Sequence, residues 1–358
     1  MDKDIVNFKD SLSNKAFISR NSLGRRFGND ADLPYNFLDP FFLDREKIRL
    51  SKSYRRLADK TQVFPPDLHS NVRNRLIHTN DVVNLASLYA NILGLNVYLT
   101  EAIAYGHDMG HTPFGHLGER LICDLSGKRF AHHVMSVVVA QKIERKGLGL
   151  NLSYETLEGI LNHSRGAGDM NTNPDITEES NLVMFSDKIA YTFSDLNDAI
   201  RVGYISESKL PKIIKYFGKN QRERLLKVSF DFIKESSEEG KISFSKSQTS
   251  KKFADLRSWM YENVYFVLDV EDYRIKIYDE LKSISLFIAD YFKGKINPYL
   301  AIGCMTDSEV RKFSKHLNNG GITDLNYGFI EIAGSLLNKE INIFEPDLDK
   351  KDFSAENL

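Results

Sequence analysis

Several classes of protein are excluded by what this chain of 358 residues has little of. Cysteine occurs twice, at Cys123 and Cys304. That is too few for a disulfide framework and suits a reducing setting. Long apolar runs are missing: no stretch approaches a membrane span, and the opening MDKDIVNFKD has none of the apolar core of a secretory leader. A cytoplasmic location is therefore expected. An excess of one charge sign is also missing, since 48 Lys+Arg against 49 Asp+Glu leave a net charge of -1. Such a chain has no global attraction for nucleic acid or anionic lipid. There is no internal repeat and no low-complexity segment, and only residues 61–64 and 241–244 suggest strands.

What remains is 42% hydrophobic and 27% charged, the make-up of an ordinary soluble protein. Its length suffices to bury the core of one large or two ordinary domains. Apolar residues recur at helical spacing over residues 44–58, 73–93, 97–109, 131–146, 154–162 and 176–202. Beyond Gly203 the same spacing returns at 209–217, 222–234, 253–264, 273–292, 307–317 and 328–337. An all-α fold is expected, with a few short strands at most. Residues 1–40 read as an arm, 41–203 as a catalytic core, 204–345 as a C-terminal helical region and 346–358 as a polar tail that frays.

Chemistry concentrates in residues 104–121, AYGHDMGHTPFGHLGERL, which hold His107, Asp108, His111, His116 and Glu119. Imidazole and carboxylate are the natural donors for a divalent metal. Adjacent helical residues diverge by about 100° and can both reach an ion beside the helix. Gly110, Pro113 and Gly115 break the helix and let His111, His116 and Glu119 turn back toward the same cleft. His116 and Glu119, three apart, have the spacing of an imidazole oriented by a carboxylate. The alternative is that single histidines here are caps or core residues. His78 sits mid-helix on a partly apolar face, where a buried, satisfied imidazole is the plainer reading. In LVMFSDKIAYTFSDLNDAI, Asp187, Tyr191 and Asp195 recur every fourth residue as a polar stripe on an otherwise apolar helix. The stripe is either a solvated face or a set of buried groups that need partners.

The blocks GHDMGHTPFGHLGE, RLIHT, FSDKIAYTFSDLNDA, LDREKIRLSKSYRRLADKTQVF and SYETLEGILNHSRG occur across roughly residues 41–203. In that combination the chain resembles the HD-domain phosphohydrolases, specifically the deoxyguanosinetriphosphate triphosphohydrolase branch, the dNTP triphosphohydrolases. C-terminal of about residue 205 no block matches. The resemblance implies a helical HD-domain fold and a divalent metal (Mn, Mg, Fe, Co, Ni or Zn) held by His78, His107, Asp108 and Asp187. It implies His116 as the catalytic imidazole, with Glu119 acting only through it, and His111 in a secondary role at the phosphate. His132 would touch phosphate, and Arg75 and Lys188 would bind triphosphate. Tyr191 and Asp195 would lie beside the sugar, Gln62 would hydrogen-bond the 3′-hydroxyl, and Val63 with Tyr191 would exclude a 2′-hydroxyl.

The implied reaction is attack of water at the α-phosphorus of a deoxynucleoside triphosphate, giving deoxynucleoside and tripolyphosphate, with the metal polarising a phosphate oxygen. The about four negative charges of the substrate call for such cations. A homo-oligomer, often a hexamer in this family, is the expected assembly. Two other readings stand beside this one: an HD phosphohydrolase acting on a nucleoside monophosphate or cyclic nucleotide, and a catalytically silent nucleotide or nucleic-acid sensor. The run Lys209, Lys212, Lys215, Lys219, Arg222, Arg224 and Lys227 is either a contact for single-stranded nucleic acid or a solvated helical face.

Overall fold

Two hydrophobic cores lie side by side, and the chain crosses from one to the other at His107 and Asp108: Ala104 belongs to the first core and Met109 to the second. The computed structural model describes residues 8–28, 38–65, 68–164, 170–265, 271–318 and 327–358. Parts of the expected arm (1–7 and 29–37), Pro66, and Arg165 and Gly166 of the SYETLEGILNHSRG block lie outside the described residues.

The helices are α1 (Pro40–Arg49), α2 (Lys52–Arg56), α3 (Arg75–Leu93), α4 (Val97–Gly106), α5 (Gly115–Ser126), α6 (His132–Val138, continued by a π turn Val139–Ile143) and α7 (Tyr154–Asn162). They continue with α8 (Glu178–Arg201), α9 (Gln221–Glu239), α10 (Gln248–Met260, followed by a π turn Tyr261–Tyr265), α11 (Glu271–Tyr291), α12 (Pro298–Cys304), α13 (Asp307–Asn318) and α14 (Gly328–Ser335). Among the described residues no helix is long and apolar enough to cross a membrane, and there is no β-sheet, only the isolated bridges Arg25–Ser354 and Thr61–Asn74. The first core gathers side chains of α3, α4, α8, α9 and α10; the second gathers those of α5, α6, α7 and α11 to α14.

Helix α8 is buried nearly all round, and Leu182, Phe185, Ile189, Phe193 and Leu196 are among its buried residues. Two of its hydroxyls bond within the helix: Ser186 Oγ donates to the Leu182 carbonyl and Thr192 Oγ1 to that of Lys188. Asparagines cap the two helices that lead into the site. Asn74 accepts from the Ile77 amide at the start of α3, and Asn96 from that of Leu99 at the start of α4, each worth about 1 kcal/mol.

Several expectations give way to longer-range contacts. The run over residues 44–58 divides into α1 and α2, and that over 209–217 keeps only the single turn Ile214–Phe217. Helices α5 and α12 form where none was expected. The two strand candidates are not strands, because side chains take the hydrogen bonds a neighbouring strand would take. Asp307 Oδ2 accepts from the Thr61 amide, while the Thr61 and Gln62 carbonyls accept from Arg75. At residues 241–244, Ile242 bonds to the Glu178 carboxylate and Ser243 to Ser236 Oγ. The tail is not frayed: Arg25 and Ser354 exchange backbone bonds of 3.2 and 3.1 Å, and Arg26 pairs with Asp347.

The basic run is not one free face either. Arg224 is buried with its guanidinium on the Gly218 and Lys219 carbonyls, and Lys227 pairs with Asp231 at 2.8 Å.

Asp307, at the start of α13, ties the C-terminal helices to two segments of the site. It accepts from the Thr61 amide and hydroxyl through Oδ2 and from the Phe114 amide through Oδ1. Asp307→Ala is expected to lose about 1.5–3 kcal/mol of stability, the worth of hydrogen bonds to a charged acceptor. A urea melt within about 0.5 kcal/mol of the wild type, the range of an ordinary surface substitution, would show that the clamp carries nothing.

Candidate metal centre and its surroundings

Each side chain of the site arrives from a different element. Helix α3 contributes Arg75 and His78 on its first turn, and His107 and Asp108 follow the last turn of α4. After Asp108 the chain must double back, and two glycines permit it. A Cβ on Gly110 would stand 2.2 Å from the Ser136 amide of α6, so only a bare backbone fits. Phe114 and Gly115 are both left-handed, with φ of 61° and 59°, and the turn they make launches α5 with His116 and Glu119 on its first two turns. Lys60 secures the loop by donating its ammonium to the carbonyls of His111 and Gly303; burial pushes its pKa down to about 8.

Asp108 is the centre of the arrangement. Its Oδ2 accepts from Arg75 Nη1 at 2.6 Å and lies 3.4 Å from His107 Nε2 and 4.0 Å from His78 Nε2. The ligand atoms of His78, His107 and Asp108 all fall within 4.8 Å of one another. Asp187 stands one step outside that trio, its Oδ1 3.1 Å from His78 Nε2. Burial opposes the charge on Asp108, but His107 and Arg75 outweigh it and hold the carboxyl well below the usual range. For His107 burial works against protonation, yet the neighbouring Asp108 raises its pKa to about 9. His107 Nδ1 is 2.7 Å from the Ala104 carbonyl oxygen, which can only accept, so Nδ1 keeps its hydrogen and Nε2 is the nitrogen that would give up its proton to a metal. That buried Nε2 has no hydrogen-bond partner among the described residues. An imidazole fixed by a carbonyl on one nitrogen and open on the other is how a metal-ligating histidine is held, so these residues fit a divalent ion.

A second group adjoins the first. His111, His116, Glu119 and His132 bring their donor atoms within 4.8 Å of one another. Here the geometry departs from expectation: the tight bond of Glu119 is to His132 Nδ1, at 2.6 Å, whereas His116 Nδ1 is 3.4 Å away. His116 is 62% exposed at its side chain and stands at the mouth of the site. His111 is fully buried, stacked on His132 with centroids 4.7 Å apart, and neither of its ring nitrogens has a hydrogen-bond partner among the described residues.

The stripe on α8 is partnered; Asp195 is buried, and Asp187 and Tyr191 are half-buried. Tyr191 accepts from Arg257 Nη2 at 2.8 Å, and Asp195 accepts from the Tyr265 hydroxyl at 2.9 Å. Burial pushes the Asp195 carboxyl up to about 8 against that hydrogen bond. Lys188 is buried on the same helix. Gln62 is buried with an unpartnered Oε1, and Val63 is half-buried against the first core.

Three residues escaped the sequence reading. His163 follows α7 and contacts His132; the block SYETLEGILNHSRG contained it without drawing attention to it. Arg257 shares the apolar face of Phe253, Leu256 and Met260 on α10, and a cation at core spacing was the available signal. Tyr265 had none.

The family described as "HD domain" matches residues 75–192. The chain is 40% identical over 282 residues to a deoxyguanosinetriphosphate triphosphohydrolase-like protein of Clostridium perfringens (strain SM101 / Type A), covering 76% of this chain and 80% of that one. It is 36% identical over 297 residues to a protein of the same description from Desulfatibacillum aliphaticivorans, covering 81% and 83%. A third, from Caldanaerobacter subterraneus subsp. tengcongensis, is 41% identical over 256 residues, covering 71% and 72%. A buried histidine–aspartate centre on helices and this breadth of similarity place the chain in the deoxyguanosinetriphosphate triphosphohydrolase-like family of HD-domain proteins.

Proposed function

We propose that the protein hydrolyses deoxynucleoside triphosphates to deoxynucleoside and tripolyphosphate with the help of a divalent metal. One observation carries the reading: a buried His78–His107–Asp108 cluster with an open imidazole nitrogen adjoins a second imidazole–carboxylate group and several cations. His78, His107 and Asp108, joined by Asp187, would hold the ion. When bound, such an ion supplies charge stabilisation at a phosphate oxygen and lowers the pKa of a water.

The chain's own groups do the rest. Arg75, Lys188 and His132 offset the phosphate charge, and His111, kept neutral by burial, can offer it a hydrogen bond. Gln62 and Asp195 receive the sugar, and Val63 and Tyr191 close the space where a 2′-hydroxyl would sit. Water adds to the α-phosphorus, the bond to the 5′-oxygen breaks, and that oxygen leaves with a proton. His116 at the mouth handles the proton, and Glu119 holds both His116 and His132. Product analysis by ion chromatography over all four dNTPs, with Mn and with Mg, is expected to give deoxynucleoside and tripolyphosphate in equal amounts. Nucleoside monophosphate with pyrophosphate, or inorganic phosphate alone, would reject the reading.

His116→Ala should lower kcat by about 10²–10⁴-fold, the usual worth of general acid–base catalysis, with bound metal unchanged. Because Glu119 bonds more tightly to His132 than to His116, Glu119→Gln should act through both imidazoles. The double variant should then be slower than His116→Ala alone. Equal rates for the single and double variants would show that Glu119 works only through His116.

Asp195, with a pKa raised to about 8, is neutral below that pH and charged above it. KM for a dNTP should therefore rise as pH climbs past about 8, because a bare carboxylate would face the anionic substrate. Asp195→Asn, a neutral isostere at every pH, should flatten that rise. Parallel KM profiles for the two proteins from pH 6.5 to 9.5, a window spanning the raised pKa, would refute the assignment.

A further inference from the structure

A cavity of about 460 Å³ lies between α1, α2, the π turn after α6 and α14, and none of its walls belongs to the histidine–aspartate centre. That volume falls within the roughly 300–1,000 Å³ of small-molecule sites. Its apolar lining is aliphatic throughout: Leu50, Ile143, Leu150 and Ile332. Leu50 keeps 66% of its surface in solvent, area that an apolar ligand would cover. Among the lining residues there is no aromatic ring on which a base could stack.

The rest of the lining carries five cations and three carboxylates, and all three carboxylates are already engaged. Glu46 pairs with Arg45 and Arg49, and Glu331 pairs with Lys52 at 2.6 Å. Glu144 accepts from the amides of Lys52 and Ser53 at the start of α2. Lys47 donates to the Asn151 carbonyl. Arg55 and Lys146 are lining cations with no ion-pair partner among the described residues. The balance at the rim is therefore positive.

The backbone that delivers Lys146 is strained. Arg145 and Lys146 have φ of 52° and 58°, a left-handed conformation that crowds an L side chain and that glycine takes freely. Gly147 follows in the same hand, with φ of 85°. Strain kept at positions that bear side chains gathers at ligand clamps.

We propose that this cavity binds an amphipathic anion, an aliphatic chain ending in a carboxylate or a phosphate. The chain lies on Leu50, Ile143, Leu150 and Ile332, and the head meets Arg55 and Lys146. Guanidinium and ammonium groups receive both kinds of head, and an aliphatic wall holds a chain by burial alone. Such binding requires nothing of the metal centre.

Isothermal titration calorimetry of the full-length protein with decanoate and with decyl phosphate, both below their micellar concentrations, tests this. One saturating equivalent per chain is expected for at least one of them, and the arm that binds identifies the head group. Arg55→Ala and Lys146→Ala, both at exposed positions, should each weaken that binding by about tenfold, the loss expected of one charge-assisted contact. Leu50→Asp sets a like charge against the ligand and should weaken it at least as much. Lys146→Gly, which suits the left-handed backbone, should melt at a higher temperature than the wild type and still bind more weakly, which separates lost contact from lost folding. Absence of saturable binding by either anion overturns the proposal, as does binding unchanged in Arg55→Ala and Lys146→Ala. Decanol binding as tightly as the anions would leave an apolar crevice with no anion receptor, and inorganic phosphate binding as tightly would leave a receptor with no use for a chain; either result overturns it too.

Discussion

The Asp108 carboxylate is the constraint on which the rest of the structure depends. It is buried, and a buried charge is tolerated only when paired and hydrogen-bonded. Arg75 meets it at 2.6 Å and His107 at 3.4 Å. Arg75 in turn is fixed by the Thr61 and Gln62 carbonyls, so the segment that presents Gln62 and Val63 is set by the same guanidinium that neutralises Asp108. Removing either partner would leave the other charged and buried, the most destabilising way to break such a pair.

The C-terminal half is joined to this centre by polar contacts. Asp307 clamps Thr61 and Phe114, Lys60 bridges the carbonyls of His111 and Gly303, and Arg56 grips the Cys304 carbonyl and Glu309. Arg257 and the π turn after α10 supply the partners of Tyr191 and Asp195. Helices that matched no family block thus hold the loops and the α8 stripe in place.

What the sequence made legible follows a physical line. Helices with recurrent apolar positions were readable: α7 coincides with residues 154–162, and α3 and α8, capped by Asn74 and Thr177, begin within two residues of expectation. Gly110, Pro113 and Gly115 were read as breaks, correctly for the loop, but Gly115 also starts α5 once Phe114 and Gly115 take positive φ. The pairing of Glu119 with His132 joins side chains thirteen positions apart in sequence, and no local spacing reports it. Nor does any local signal show that Arg257 meets Tyr191 across two helices. The strand candidates failed for the same reason, since Glu178, Ser236 and Asp307 took bonds that alternation assigns to a neighbouring strand.

In the proposed reaction the buried centre directs water to the α-phosphorus of a dNTP. Hydrolysis in water enriched in oxygen-18, followed by mass spectrometry of both products, tests it most directly. The account predicts one labelled oxygen in the tripolyphosphate and none in the deoxynucleoside, because the bond from the α-phosphorus to the 5′-oxygen is the one that breaks. Label in the deoxynucleoside, or in a nucleoside monophosphate, would contradict it.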